Sequence, residues 1–221
     1  MIVKSGKDGV AFSFGGTDAY QDLELKFDRD VHNAYKRYVK AADADTQLLK
    51  KAFYAVILHG LPHAVYPTNN NPNEPTEAWS FRELGNQIRC PYSKNGKNRA
   101  ILLLSCYSGY AIARSLARYL HLPVVAPRSL ATVSEDCQLD SQYVEYDKRN
   151  PAKSKTEDIK EQNYIVYSRT DWIFCSQSGA MEIVPPGAPR LNKSAAVNLV
   201  KKYWAINIKE LKDSAKNSMF Y

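Results

Sequence analysis

Two stretches of unbroken apolar residues stand out along the chain. Phe53–Leu58 (FYAVIL) and Ala100–Leu104 (AILLL) contain no charged position, the pattern of strands covered on both faces. Leu122–Pro127 has the same character. Elsewhere apolar residues recur every three or four positions. They do so at Val31, Ala34, Tyr35, Tyr38 and Val39 within Asp30–Ala42, and at Ala78, Phe81, Leu84 and Ile88 within Thr76–Ile88. Ile112, Ala113, Leu116, Ala117 and Leu120 follow Gly109, and Val197, Val200, Trp204 and Ile208 lie within Ser194–Lys209. These spacings predict helices that bury one face. Thr76 or its neighbour is the expected cap of the second. Gly9–Phe14 reads as a strand closed by Gly15-Gly16, and Thr46–Lys51 leads directly into the strand at Phe53. Tyr164–Tyr167, Asp171–Phe174 and Gly179–Val184 read as short strands.

Strands alternating with helices predict an α/β fold with a mostly parallel central sheet and helices on both faces. The strands at Phe53 and Ala100, joined by a helical crossover, are expected to be parallel neighbours. Leu61–Pro75 (LPHAVYPTNNNPNEP) is too rich in Pro and Asn for regular structure. Together with Arg128–Asp140 it is expected to border a cleft at the carboxyl edge of the sheet. Pro91–Lys97 reads as a polar turn, and Arg128–Asp147 as irregular or a hairpin. The length of 221 residues fits one domain, 1–221. Within it, 150–163 is a polar, basic candidate linker and 164–221 holds the last strands and helix.

Composition narrows the function classes. No apolar run approaches the length of a membrane span. The start, MIVKSGKDG, lacks the apolar core of a signal peptide. The expectation is a cytoplasmic protein, or one secreted by a dedicated export system without a signal peptide. The net charge of +7 would suit a nucleic acid, but Lys and Arg are scattered. The densest tract, Lys148 to Lys160, is interrupted by Glu157 and Asp158, so a nucleic-acid partner is not expected. The four cysteines, Cys90, Cys106, Cys137 and Cys175, show no C-x-x-C spacing and the four histidines are dispersed. Neither a disulfide framework nor a metal site is expected, and no cofactor is implied.

The chemistry lies where the two long apolar runs stop. One ends in His59-Gly60, the other in Ser105-Cys106 before the turn Tyr107-Ser108-Gly109. In open α/β sheets the carboxyl ends of strands carry the chemistry. A cysteine there, just before a helix N-terminus, is expected to have its thiol pKa lowered by the helix dipole and free N–H groups. Cysteine is also among the most buried residue types, so Cys106 alone is ambiguous. The match at His59, 47 residues earlier, shifts the balance towards a nucleophile and its base. His63 is the second choice of base; Pro62 keeps it from sharing a helix with His59. His32 and His121 read as surface or core residues. Cys175 imitates the Cys106 turn but has no long strand before it, and Pro185-Pro186 blocks a helix after it, so it reads as structural. No G-x-S-x-G elbow is present, which disfavours a serine hydrolase.

The pair ILHG and LLLSCYSG resembles the strand ends of the caspase-like cysteine peptidases of clan CD, nearest the bacterial CHAT and toxin-effector forms, over about residues 50–130. The caspase signature Gln-Ala-Cys-x-Gly is replaced: Leu104-Ser105 stands for Gln-Ala, and Gly109 lies three residues after the cysteine. The resemblance implies a caspase-like three-layer sandwich and a His59–Cys106 dyad that cleaves a protein or peptide substrate. It implies an oxyanion hole from the Gly60 and Cys106 N–H groups, and a substrate pocket built from the loops after the Cys106 strand and the next one. Those loops carry Arg128, which favours an acidic side chain, and Glu135, Asp136 and Asp140, which favour a basic one. Arg128 and Asp136 are the candidate substrate-binding residues. A cognate inhibitor or immunity protein would be a further partner of a toxin-type enzyme. Two other classes stay open: a catalytically silent caspase-like module that binds a partner, and a basic nucleic-acid-binding domain.

Overall fold

The computed structural model describes residues 2–13, 21–67, 78–88, 99–146, 164–167, 171–184 and 190–218. The chain opens with a hairpin, β1 (Ile2–Gly6) and β2 (Gly9–Ser13), turning at Lys7-Asp8. Two helices follow, α1 (Gln21–Lys40) and α2 (Ala44–Ala52). β3 (Phe53–Ile57) leads into the short pair β4 (His59–Gly60) and β5 (Val65–Tyr66). Next come α3 (Phe81–Gln87), β6 (Ala100–Leu104), α4 (Ile112–Leu120) and β7 (Val124–Pro127). The remainder is β8 (Leu130–Val133), β9 (Leu139–Tyr146), β10 (Tyr164–Tyr167), β11 (Trp172–Cys175), β12 (Met181–Ile183) and α5 (Lys193–Ser218).

The central sheet has seven strands in the order β1-β2-β3-β6-β7-β11-β12. β2, β3, β6 and β7 are parallel; β1 on one side and β11 and β12 on the other are antiparallel. β3 and β6 are neighbours, as expected from their composition. Alternation along them divides the core in two. Phe53, Ala55 and Ile57 of β3, with Ala100, Leu102 and Leu104 of β6, face α1, α2 and α5, meeting Tyr38, Leu49 and Val197. Tyr54, Val56, Leu58, Ile101 and Leu103 face α3 and α4, meeting Leu84 and Leu116. Helices therefore cover both faces, which is why neither strand has a polar position. Each fully buried large apolar side chain contributes roughly 1.5–3 kcal/mol of transfer free energy before entropy is counted.

Several elements differ from the sequence reading. α1 begins at Gln21 rather than Asp30; Leu23 and Phe27, spaced by four ahead of Val31, already carry the helical period in the sequence. α2 replaces a plain lead-in to β3. Its Asp43 carboxylate accepts from the Thr46 N–H at 2.8 Å, an N-cap. α3 starts later than Thr76 because Ser80 and Glu83 form a reciprocal capping box; Thr76 itself lies outside the described residues. Ala78 is exposed, and Trp79 is buried in its place. Residues 130–146 are a hairpin, β8–β9, with β10 added to its far side. The linker at 150–163 and the turn at 91–97 also lie outside the described residues.

Two buried lysines brace the α1–α2–α5 layer. Lys50 Nζ donates to the Val39 and Ala41 carbonyls, 2.8 Å each, closing the end of α1. Lys193 Nζ donates to Thr46 Oγ1 at 2.9 Å and the Cys137 carbonyl at 3.4 Å, 3.7 Å from the Asp43 carboxylate. It pins α5 to α2 and to the β8–β9 turn. Among the described residues, no helix is long and apolar enough to cross a membrane.

Candidate active site

β3 and β6 deliver His59 and Cys106 to the same edge. Their pairing ends with Ile57 opposite Leu104, and the Leu58 N–H donates to the Leu104 carbonyl at 3.3 Å. His59 and Cys106 each stand two residues beyond that last pair. Ile57 and Leu104 both face α1, and an alternating chain returns to the same side at every second residue. The strand ends touch directly. A Cβ placed at Gly60 would fall on the Ser105 hydroxyl and 2.5 Å from the Cys106 carbonyl oxygen. Glycine at this position lets the His59 segment lie against the Cys106 turn.

That turn is held on all sides. The Tyr107 N–H donates to the Ser129 carbonyl and the Gly109 N–H to the Pro127 carbonyl, both at 2.8 Å. The buried Ser108 hydroxyl donates to the Ser105 carbonyl at 2.6 Å. Tyr107, next to the candidate nucleophile, sits at φ 58°. A left-handed tyrosine costs roughly 1–2 kcal/mol, which the surrounding hydrogen bonds hold in place. The Cys106 thiol is partly exposed and accepts from the Ala131 N–H at 3.4 Å. Burial pushes this thiol above its ordinary value, and the Ala131 and Cys106 N–H groups offset only part of that. The expected lowering by a helix N-terminus is therefore corrected. α4 starts at Ile112, after a full turn of residues 106–111, so its free N–H groups are not adjacent to the sulfur.

His59 and Cys106 line one cavity of about 380 Å³, closed on one side by Asp30, Val31, Ala34 and Arg37 of α1 and on the other by Leu130–Val133 of β8. Ile57, Leu58 and Leu104 form the apolar floor. Arg37 is fixed at the rim: its guanidinium donates to the Val133 carbonyl at 2.6 Å and lies 3.9 Å from the Glu135 carboxylate. Residues 25–141 match the model of a family described as Domain of unknown function (DUF8616). The chain belongs to the DUF8616 family. No curated protein matches it. The matched span covers more than half of the 221 residues and contains every residue that lines the cavity.

The other candidate residues of this DUF8616 protein lie apart. Arg128 is 3.6 Å from the Asp171 carboxylate and stacks over the Tyr110 ring at 5.0 Å. Asp136 caps its own turn through the Ser134 hydroxyl. Neither is among the cavity-lining residues; from Arg128–Asp140 it is Leu130–Val133 that lines it. Residues 61–67 do not line it either, and 68–75 lie outside the described residues. α1 takes the place expected for that loop. His63 is exposed, which leaves His59 as the histidine at the cavity. His121 is the left-handed C-cap of α4. Cys175 is buried in β11 with its thiol pushed up to about 12 by burial, in keeping with a structural role. Cys90 lies outside the described residues. Asp30 and Arg37 were missed; the signal was present as polar residues seven apart bounding the apolar stripe of a helix that was read only as core. Among the described residues, no group of three or more His, Cys, Asp or Glu side chains could hold a metal.

Proposed function

We propose that this DUF8616 protein is a cysteine peptidase of caspase-like kind, cleaving protein or peptide chains through His59 and Cys106. The observation that carries the reading is the registered exit of both residues from adjacent parallel strands into one cavity. The helix layers on both faces of a mostly parallel sheet support it. So does the strained residue directly after the nucleophile, since such strain concentrates at functional sites.

In this mechanism His59 takes the Cys106 thiol proton as the sulfur attacks the scissile carbonyl carbon. The S–C bond forms and a tetrahedral oxyanion develops, facing the Gly60 and Cys106 N–H groups. His59 then gives the proton to the leaving amine as the C–N bond breaks, and water hydrolyses the thioester. The raised thiol pKa makes the base necessary, because little thiolate is present at neutral pH without it. The apolar floor between α1 and β8 suits an extended chain with an apolar side chain near the cleaved bond.

The test uses a library of peptides with blocked amino termini, with new termini identified by mass spectrometry. Wild type is expected to generate new termini, Cys106→Ala none, and His59→Ala a rate lower by about 10³-fold or more, because the two act as a unit. Thermal unfolding confirms that each variant is folded. Cleavage by a folded Cys106→Ala, or none by wild type, would overturn the reading and leave the silent binding module as the better account.

A further inference from the structure

β8 is an edge strand of the three-stranded sheet β10-β9-β8, and its pairing with β9 sets where its backbone groups point. The Ser134 N–H donates to the Gln138 carbonyl at 3.0 Å, one step beyond the Val133–Leu139 pair. Hydrogen-bonded pairs alternate along an antiparallel ladder, so Thr132–Asp140 and Leu130–Gln142 are the bonded pairs. Ala131 and Val133 therefore turn their N–H and C=O groups away from β9. Both have partners on that side. The Val133 carbonyl accepts from Arg37 of α1 at 2.6 Å, and the Ala131 N–H donates to Cys106 Sγ at 3.4 Å. The same alternation holds across the ladder: Leu139, opposite Val133, turns outward, and its carbonyl accepts from the Leu191 N–H at 3.0 Å.

We propose that the Ala131 N–H is a catalytic group that holds the sulfur of Cys106 as the thiolate before attack. The proposal deepens the peptidase reading of His59 and Cys106 and rests on it. A proton that leaves the sulfur for His59 leaves a negative charge in a cavity lined mainly by apolar side chains. A charge in such a place needs a donor within reach. A hydrogen bond to a charged acceptor is roughly twice as strong as one to a neutral acceptor, so the Ala131 bond favours the thiolate over the thiol. Burial acts the other way and more strongly, and Ala131 is foremost among the groups that offset it. α4 starts at Ile112, too far along the chain to supply this donor, so the edge of β8 does here what a helix N-terminus does at other reactive cysteines. The charged or titratable side chains around the cavity besides Cys106 are Asp30 and Arg37 of α1 and His59. β8 adds no charge of its own, since Leu130–Val133 is LATV. As the S–C bond forms, the sulfur loses its charge and the bond from Ala131 weakens, so the donor acts on the attacking state and not on the acyl-enzyme.

Because the Ala131 N–H lies outside the ladder, Ala131→Pro removes it without removing a strand-pairing bond, which an edge strand tolerates. Ala131→Val enlarges the side chain and keeps the N–H. The test measures the rate of Cys106 alkylation by iodoacetamide against pH in wild type and both variants, with the modified residue identified by mass spectrometry and folding checked by thermal unfolding. In Ala131→Pro the midpoint of the profile is expected to rise by about one pH unit and the rate at neutral pH to fall about tenfold, the size set by losing a hydrogen bond to a charged group. Ala131→Val is expected to keep the wild-type midpoint, because a bulkier side chain slows the reagent at every pH alike. A folded Ala131→Pro with the wild-type midpoint overturns the proposal, and so does an equal shift in Ala131→Val. Where Ala131→Pro does not fold, an ester in place of the Leu130–Ala131 amide, which exchanges the N–H for an oxygen, decides it: a raised midpoint supports the proposal and an unchanged one overturns it. The peptidase reading fails on a different observation, continued cleavage by Cys106→Ala or none by wild type, whatever the alkylation profile does.

Discussion

Gly60→Ala tests whether the two strand ends are in contact. The added Cβ would land on the Ser105 hydroxyl, 3.3 Å from Ser105 Cβ and 2.5 Å from the Cys106 carbonyl oxygen. The hydroxyl can rotate away. The carbonyl cannot, because the turn that carries it is tied down by the Tyr107 and Gly109 N–H groups. Overpacking of this kind costs about 1–3 kcal/mol, and a rigid backbone atom puts it at the upper end. For a domain of this size that lowers the melting temperature by about 6–12 °C. Ser105→Ala in the same chain removes one of the two clashes and is expected to recover less than half of the loss. Gly85→Ala is the control. There the Cβ meets the ring of Tyr119 at 2.6 Å, an exposed side chain that can move, and alanine favours the helix by about 1 kcal/mol. Thermal unfolding by circular dichroism measures all four proteins. A melting temperature for Gly60→Ala within about 2 °C of wild type, or a loss no larger than that of Gly85→Ala, would refute the contact and the placement of His59 beside Cys106.

Lys50→Met keeps the length of the side chain but removes both hydrogen bonds to the end of α1; urea unfolding is expected to show a loss of about 2 kcal/mol, the range for hydrogen bonds from a charged donor, and a loss below about 0.5 kcal/mol would count against the brace. The thiols predict an alkaline dependence. Cys175 titrates near 12 in the folded chain, and burial also raises Cys106 and Cys137, whereas an unfolded thiol ionises near about 8.5. The neutral form is favoured by folding, so this stability is intact below the unfolded value and is lost as pH rises towards 12. The urea midpoint is expected to fall above pH 9 more steeply in wild type than in Cys175→Ala; parallel curves would refute it.

The sequence alone determined the elements whose environment is uniform. FYAVIL and AILLL had to be covered on both faces, and that requires helices on two sides of a sheet. His59 and Cys106 were legible because each stands where such a run stops at its carboxyl end, and parallel pairing of two similar runs brings those ends together. Short apolar-periodic helices such as α4 were legible for the same reason. Capping was also written in the chain, as Asp43 before Thr46 and Ser80 before Glu83, and these caps fix the starts of α2 and α3 that periodicity leaves open.

Only the tertiary structure decided what surrounds the two residues. A hydrogen-bonded turn of six residues separates Cys106 from α4, and no periodicity reports where such a turn gives way to a helix. Burial then raises the thiol against the expected dipole effect, because desolvation depends on packing from α1 and β8, distant in sequence. Arg128 and Asp136 looked like pocket residues by position, yet each is satisfied locally, Arg128 by Asp171 and Asp136 by Ser134. The cavity wall instead comes from Asp30 and Arg37 on a helix read as core. The meeting of His59 and Cys106 itself follows from the register of β3 and β6, and register is set by which faces the whole sheet must bury.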